Sequence, residues 1–332
     1  MKRWVLAVAL CGWGALASQN IASQDSQVAV LKDPTGSNLP LVRGAALLMG
    51  DPPFFLMVTR TPESLRLQPE SNQPETRDGT SVYPSISRDG KTIAYGRVTA
   101  GSPRRILAIA TYVTTTGKHT DYSEGEYSGS VAISPDASRL AFSAGQQRDG
   151  GPGDNHLHVV ELMTGRQILG PEISPQWPVF ASWSPDSRRL VYSVAGQIRV
   201  WDSETGQAST IAEGDLPAWS PSGEWIAYLQ GIWDQDTRRI VFRPGMWAPR
   251  CLVTHPDGTG SKTLIDLSRT RNQPRFFVSP PVWSLDSKAI LLDELDDVDT
   301  GAVTVHLLDV QTLRLRTLFR NSHPILGWAE AN

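Results

Sequence analysis

The sequence has little cysteine. Only two of its 332 residues are cysteines, Cys11 and Cys251, and Cys11 lies within a predicted cleaved segment. The remaining chain then has a single thiol, so an intramolecular disulfide is excluded and a large core must stabilise the protein. Because Cys251 lies in a strand-like stretch with no histidine-rich set of partners nearby, we predict a buried structural thiol and not a nucleophile.

Long hydrophobic runs are also missing. The uncharged apolar stretch from Trp4 to Leu16 follows the positive residues Lys2 and Arg3 and is too short for a membrane span, and no later segment reaches the required length. Ala15-Leu16-Ala17 has the small-x-small pattern of a cleavage site. We therefore predict a signal peptide over residues 1–17 and export to the periplasm or the medium, with an uncleaved anchor as the alternative.

An excess of positive charge is absent. The net charge is −3, and removal of Lys2 and Arg3 with the signal peptide makes it −5. A mildly acidic protein lacks the field of a nucleic-acid binder, so nucleic acid is excluded as a partner. The sequence also contains no Gly-x-Ser-x-Gly elbow and no glycine-rich phosphate loop before a helix, so nucleophilic catalysis and phosphate binding have little support.

What the sequence does have is an internal repeat. Five segments share an aromatic or aliphatic residue, a serine, a variable residue and usually an aspartate, followed by an apolar strand. They begin at Ile86, Ile133, Trp183, Trp219 and Trp283. Equivalent positions, from Asp89 to Asp286, are 47, 50, 36 and 64 residues apart. Proline fixes φ and aspartate bonds nearby amides, so each segment predicts a tight turn between two strands.

Two further strand-like runs follow each of these turns, so each unit has four strands, which we name A to D. Four-stranded units at this period are propeller blades. We predict an all-β fold, a six-bladed β-propeller over residues 41–332 with four-stranded antiparallel blades. Residues 18–40 are polar and are predicted to be flexible.

The sixth blade is predicted to be a composite of both ends of the chain. Strand-like runs at 42–49, 54–59 and 65–67 have no repeat motif and fit strands B, C and D. The C-terminal run 324–329 fits a strand A, and its Trp328 lies 45 residues beyond Trp283. Such a blade leaves no exposed edge at the seam. The repeat tryptophans, Trp328 included, are predicted to pack between blades.

These repeats resemble the WD40-like Pro-Asp repeats of the TolB-type propellers, which are periplasmic in bacteria. The stretch from Leu252 to Gly260, with Leu264 beyond it, also resembles that family's turn between its third and fourth strands, and the resemblance covers roughly residues 40–332. It implies a propeller that works with envelope proteins. TolB-type proteins carry an α/β domain before the propeller, and we expect no such domain in residues 18–40.

Long connections predict where a partner binds. The A–B and C–D turns lie on one face of a propeller and are short here, whereas the B–C connections on the other face are long and include 145–155, 230–250 and 293–301. Loops on a rigid scaffold often carry function. The predicted binding residues are the charged and aromatic ones in these loops: Arg148, Asp154, Trp233, Arg238, Arg239, Trp247 and Arg250. Plain variable surface is the alternative.

Two groups of residues could hold a divalent metal, Ca²⁺ or Mn²⁺, although no cofactor is required. His156 and His158 are two apart on a strand, so both imidazoles face the same side. The acidic run that contains Asp296, Asp297 and Asp299 offers the oxygen ligands that calcium prefers, but it does not match a twelve-residue calcium loop. Polar strand positions and a solvated turn are the structural alternatives.

From these observations the sequence predicts a monomeric, exported, non-enzymatic propeller. It would bind an envelope protein or peptide at its loop-rich face and channel mouth. The competing prediction is a metal-dependent carbohydrate-active lyase or hydrolase with its site at the channel mouth. Convergence of His156, His158 or the acidic run into one pocket would favour the enzyme.

Overall fold

The computed structural model describes residues 45–49, 55–61, 64–67, 81–98, 106–113, 116, 118–145, 155–173, 179–231, 233–234, 239–240, 249–268, 276–296, 303–321 and 325–330. Regular structure in these residues is β-strand throughout, as an all-β propeller requires. None of them belongs to a helix that is long and apolar enough to cross a membrane. The predicted signal peptide and the segment 18–40 lie outside the described residues.

Four sheets have four strands each. The closing sheet contains β1 (Ala45–Met49), β2 (Phe55–Thr61), β3 (Ser64–Leu67) and β25 (Ile325–Glu330). The third sheet contains β11 (Ala181–Trp183), β12 (Arg189–Val194), β13 (Gln197–Asp202) and β14 (Ala208–Glu213). The fourth sheet contains β15 (Asp215–Trp219), β16 (Ile226–Gln230), β19 (Arg250–Thr254) and β20 (Lys262–Asp266). The fifth sheet contains β21 (Val282–Trp283), β22 (Ala289–Leu295), β23 (Val303–Asp309) and β24 (Leu315–Asn321).

The remaining large sheet has seven strands and is called the long sheet. It contains β4 (Ser81–Ile86), β5 (Thr92–Val98), β6 (Ile106–Val113), β7 (Lys118–Ile133), β8 (Arg139–Gly145), β9 (Asn155–Glu161) and β10 (Gln167–Glu172). A two-stranded hairpin, β17 (Trp233–Asp234) and β18 (Arg239–Ile240), is inserted between β16 and β19.

The prediction of six separate four-stranded blades is wrong. The described strands form five large sheets, because two of the predicted units are joined into the long sheet. The cause is β7, whose 16 residues run without a break. Its first part pairs with β6 from Lys118 to Tyr127, and its last part pairs with β8 from Tyr127 to Ile133. One continuous strand thus replaces the predicted outer strand, connection and inner strand.

The two ends of the described chain meet in the closing sheet. Strand β25 pairs antiparallel with β1, with Ala45 opposite Glu330 and Leu47 opposite Trp328. The same strand contacts β4 of the long sheet and β21 of the fifth sheet. These contacts close the ring of sheets and protect the edge of β1 from pairing with another chain.

The core lies between the faces of neighbouring sheets. Residues of β12 show this arrangement, because Leu190 and Tyr192 pack against the long sheet while Val191 packs against the fourth sheet. All three are fully buried. Successive side chains of a strand point to opposite faces. A strand that has a neighbouring sheet on both faces therefore needs an apolar residue at each successive position. This explains why the returning strands of the repeats read as continuous apolar runs.

Candidate binding site

In four of the five repeats, the A–B turn is held by its own serine and aspartate. The hydroxyl of Ser184 donates to Asp186 Oδ1, and the amide of Arg189 donates back to Ser184 Oγ at 2.9 Å. The equivalent Ser–Asp bonds in three other repeats are all 2.7 Å. The sequence prediction of tight A–B turns is confirmed at these positions, and the turns fix the ends of the inner strands.

The fourth turn differs because a serine, Ser222, replaces the aspartate. Its hydroxyl lies 3.1 Å from that of Ser220, and its amide donates to the hydroxyl of Ser287 in the next turn of the ring at 2.9 Å. A second bond between turns comes from Arg139, whose guanidinium donates to the Ser187 carbonyl and the Ser203 hydroxyl at 3.1 Å. Neighbouring turns are thereby tied to one another around this face.

Ionised aspartates stabilise these turns. Burial opposes the ionisation of Asp186, but hydrogen bonds from Ser184 and the Arg188 amide, together with the charges of Arg189 and Arg188, lower its pKa below the usual value. The pKa of Asp136 is lowered in the same way, since hydrogen bonds from Ser134 and Ser138 outweigh the burial. Both carboxylates are therefore charged at neutral pH.

The inner strands enclose a cavity of about 240 Å³. It reaches the A–B turns, because the residue after the serine in each of the five repeats lines it: Arg88, Pro135, Pro185, Pro221 and Leu285. Phe180, Pro217, Pro280 and Pro281 also line it. Because residues of five inner strands line the cavity (β4, β7, β11, β15 and β21), it lies where these strands face one another.

Three tryptophans support the wall of this cavity. The indole of Trp183 donates to the Ala132 carbonyl at 3.0 Å, and the indole of Trp283 donates to the Ala218 carbonyl at 3.0 Å. Both bonds connect neighbouring inner strands, which confirms the predicted packing of these tryptophans between units. Trp219 differs, because its indole donates to Gly223 in its own turn at 3.3 Å.

A buried acid–base group lies on the fifth sheet. His306 Nε2 is 2.9 Å from Glu294 Oε2, and their side chains are 3% and 7% exposed. His306 Nδ1 is 3.2 Å from the hydroxyl of Thr317, and the Ser279 hydroxyl donates to Asp293 at 2.6 Å. The sequence analysis placed Asp293 and Glu294 in a loop, and this is wrong, because β22 continues to Leu295 and buries both carboxylates.

Most of the predicted binding residues cannot be compared with the structure. Arg148, Asp154, Arg238 and Trp247 lie outside the described residues, so their role stays a prediction. Trp233 and Arg239 lie on the paired strands β17 and β18. Arg250 is half-buried on β19, and its Nε donates to Asp266 at 3.0 Å. Arg250 therefore has a bond within the fourth sheet.

Of the predicted metal ligands, the structure describes His156, His158 and Asp296, and these lie at two different sheets, so the metal site stays a prediction. His156 and His158 are half-buried on β9 of the long sheet, and the His158 ring stacks on Phe142 with a centroid separation of 5.6 Å. Asp296 lies beyond the end of β22 and accepts a hydrogen bond from Thr304. Asp297 and Asp299 lie outside the described residues. Within the described ranges, no three His, Cys, Asp or Glu side chains form a group that could hold a metal ion.

The sequence analysis missed the residues that line the cavity. Their signal was present, because Arg88 and Leu285 occupy the variable position that follows the serine of the repeat. When repeats surround an axis, equivalent positions on the inner strands come together at that axis, and this does not depend on the length of the loops. We gave more weight to the long connections of the other face than to this equivalence.

Comparisons with known proteins bear on the fold. No family model and no curated protein sequence matches this chain. Among solved structures, it is similar to TolB from Acinetobacter baumannii, with a TM-score of 0.59 and 16% identity over 86% of this chain and 66% of that one. A putative TolB from Agrobacterium tumefaciens gives 0.54 and 15%, over 84% of this chain and 90% of that one.

A chain of a nidogen/laminin complex gives a TM-score of 0.56 with 10% identity, over 87% of this chain and 99% of that one. Because 66% of the Acinetobacter TolB chain is covered, this chain spans slightly less than two thirds of that protein. At these identities the similarity is one of fold alone. The chain therefore has a β-propeller fold similar to that of the TolB structures.

Proposed function

We propose that this chain is an exported, periplasmic, non-enzymatic propeller that binds a protein or peptide partner at its central channel. The observation that carries the proposal is the cavity of about 240 Å³ along the inner strands. It is a preformed concave site on a rigid scaffold, the usual form of a binding site. The similarity to TolB propellers and the predicted signal peptide support a periplasmic location.

The chemistry of the wall favours binding over catalysis. Among the described residues that line the cavity there are prolines, tryptophans, aliphatic residues, Phe180, serines and Arg88, but no carboxylate and no imidazole. General acid–base chemistry commonly uses those two groups, and here the described lining offers neither. An apolar wall with few polar groups suits the insertion of side chains from a partner.

The first experiment is affinity capture of the tagged, exported protein after brief crosslinking in cells. We compare Leu285→Arg, which puts a charged side chain into the cavity wall, with Met163→Arg, on an exposed turn residue that does not line it. The same capture is carried out with a variant whose 233–250 insert is shortened. This variant reports on the loop-rich face. We expect one partner that Met163→Arg retains and Leu285→Arg loses. A partner that Leu285→Arg retains, or no partner at all, contradicts the proposal.

A further inference from the structure

Three repeats have a tyrosine at the same position of strand B: Tyr95, Tyr192 and Tyr228. All three are buried, at 3%, 0% and 2% exposure. The hydroxyl of Tyr95 is 2.8 Å from His119 Nδ1, and that of Tyr228 is 3.2 Å from Ser261 Oγ. The hydroxyl of Tyr192 has no hydrogen-bond partner in the part of the chain that the structure describes. The third sheet therefore differs from the long sheet and the fourth sheet at this position.

The strand register explains the difference. His119 and Ser261 hold equivalent places at the start of strand D, two residues before the residue that aligns with the tyrosine across the sheet. In the third sheet Ala208 holds this place, and its methyl group cannot bond a hydroxyl. The polar residue is instead Arg199, on strand C directly opposite Tyr192. A cation thus takes the place of the usual partner.

Arg199 brings a positive charge into the space between two sheets. Its side chain is half-buried, and its Nε is buried without a hydrogen-bond partner among the described residues. None of the ion pairs between described residues includes Arg199. Burial raises the pKa of Tyr192, and the positive charge of Arg199 opposes this effect, so the guanidinium lies near the phenol. At neutral pH the phenol is protonated, and both groups offer a hydrogen to an acceptor.

The facing long sheet contributes a further buried hydroxyl. Ser143 of β8 is 2% exposed, and its Oγ has no hydrogen-bond partner in the described ranges. It lies two residues after Ala141 and opposite Leu157 in register, so it shares their face of the sheet. Ala141 and Leu157 belong to the same buried cluster as Tyr192. Three buried polar groups from two sheets therefore border one interface.

Buried donors of this kind need an acceptor. A hydrogen bond left unmade costs the desolvation of the donor, and native proteins satisfy such atoms with protein groups, water or ions. A guanidinium has no acceptor and a permanent positive charge, so it excludes cations. Buried charges are normally paired. A ligand that satisfies both the donors and the charge is an anion.

Burial limits the size and charge of that anion. Tyr192 and Ser143 are almost fully buried between packed sheets, so a ligand beside them must shed its water. A single guanidinium balances one negative charge, and a divalent ion such as sulfate would keep an uncompensated charge in the interior. A small monovalent ion meets both conditions.

We propose that a small monovalent anion of the class of chloride binds between the long sheet and the third sheet, on Arg199 Nε and the Tyr192 hydroxyl. The ion accepts a hydrogen bond from each group and neutralises the guanidinium. Neither residue lines the central cavity, so this site is separate from the one proposed for a partner.

Crystals of the exported protein grown with sodium bromide locate the ion, because bromide replaces chloride and scatters anomalously. We expect an anomalous peak within hydrogen-bond distance of both Arg199 Nε and the Tyr192 hydroxyl oxygen. A water molecule there, with no anomalous signal, contradicts the proposal.

Chlorine NMR tests binding in solution, because the chloride line broadens when the ion binds a protein. Sodium chloride is titrated into the unmodified protein, Arg199→Met and Tyr192→Phe. Tyr228→Phe is the matched control, since it removes the equivalent hydroxyl from a tyrosine that already has a partner. Arg314→Met, on an exposed arginine of the fifth sheet, controls for loss of a cation.

We expect saturable broadening that is roughly tenfold weaker in affinity in Arg199→Met, because a charge-assisted hydrogen bond is lost. Tyr192→Phe, which keeps the ring and should fold even if Arg199→Met does not, should also weaken binding, and both controls should bind as the unmodified protein does. Broadening that persists in Arg199→Met and Tyr192→Phe means an adventitious ion only. A crystal peak without saturable broadening means binding at crystal concentration only. Either result overturns the proposal.

Thermal unfolding gives an independent readout. At equal ionic strength, the midpoint of the unmodified protein should be about 2–4 °C higher in sodium chloride than in sodium gluconate, whose anion is too large for the site. The difference should disappear in Tyr192→Phe and remain in Tyr228→Phe. Equal midpoints of the unmodified protein in the two salts would show that no anion stabilises this interface.

Discussion

The indole nitrogen of Trp283 donates a hydrogen bond to the carbonyl oxygen of Ala218, which lies 3.0 Å away on the neighbouring inner strand. Both residues are buried, at 5% and 9% exposure. A buried carbonyl that loses its donor costs free energy, because no water replaces the bond. This hydrogen bond, made by a tryptophan of the repeat motif, therefore helps to hold two neighbouring sheets together.

Trp283→Phe and Trp183→Phe should each lower the free energy of unfolding by about 1–3 kcal/mol, since each leaves a buried carbonyl without its indole donor. Trp219→Phe is the matched control, because its indole bonds only within its own turn and at 3.3 Å. Urea unfolding followed by circular dichroism measures the difference. A loss in Trp219→Phe as large as in the other two variants would show that ring volume, and not the bond between sheets, determines the effect.

Low pH should lower the free energy of unfolding, because the turn aspartates become protonated. The pKa of Asp186 is lower in the folded state than the ordinary value of about 3.9, so the ionised carboxylate stabilises the fold above that pH. The stabilisation is lost as the pH falls through the folded pKa. Asp186→Asn should reduce the unfolding midpoint at pH 7 and flatten its decline between about pH 5 and pH 2.

Glu213→Gln, which removes an exposed carboxylate at the end of β14, is the control for that measurement. Its midpoint should follow that of the unmodified protein over the whole pH range. If Asp186→Asn loses as much stability at pH 2 as at pH 7, hydrogen bonding by the neutral side chain accounts for the effect and ionisation does not.

The pair Glu294–His306 should show non-additive energetics. Removal of one member deprives a buried polar atom of the other of its hydrogen-bond partner, so Glu294→Met and His306→Leu should each cost about 1–3 kcal/mol. The double variant should cost less than the sum, because both polar groups are then replaced by apolar ones. Chemical unfolding of the four proteins gives the coupling energy, and additive losses would mean that the two side chains do not interact.

Gly214 should tolerate no side chain. Its φ is +154°, and a Cβ there would lie 2.6 Å from the carbonyl oxygen of Leu229, so Gly214→Ala must displace backbone. Gly165 has a φ of +69° with nothing within 4 Å, so Gly165→Ala meets only the backbone cost of about 1–2 kcal/mol. We expect Gly214→Ala to lower the free energy of unfolding by ~1–3 kcal/mol more than Gly165→Ala does, as measured by thermal or urea unfolding. Equal losses in the two variants would show that β16 can move away from the new side chain.

Much of the architecture could be predicted from the sequence, because the repeat acts locally. Ser184, Asp186 and the strand that begins at Arg189 interact within six residues, so spacing alone identifies the turn. Sheet boundaries are less local, and β7 shows why. Residues 123–130 contain two glycines and three serines, a composition typical of a loop, yet β7 continues through them and the sheets merge.

The candidate site was harder to predict because it depends on how the ring is arranged. Arg88 and Leu285 are nearly 200 residues apart in the sequence and line one cavity only because their turns surround the same axis. The burial of Asp293 and Glu294 has a similar origin. Five carboxylates in seven residues are typical of a solvent-exposed segment. Pairing with β23 and the bridge between Phe277 and Glu294 nevertheless bring the first two into the core.

The most direct test of the account is site-specific photo-crosslinking in cells. A photoreactive phenylalanine analogue at Leu285, in the cavity wall, is compared with the same analogue at Lys262, which is exposed on the outer strand β20. The account predicts that Leu285 yields a discrete product, and that mass spectrometry maps it to a single apolar segment of the partner. Equal products from both positions, or a product from Lys262 alone, would contradict the claim that the channel is the binding site.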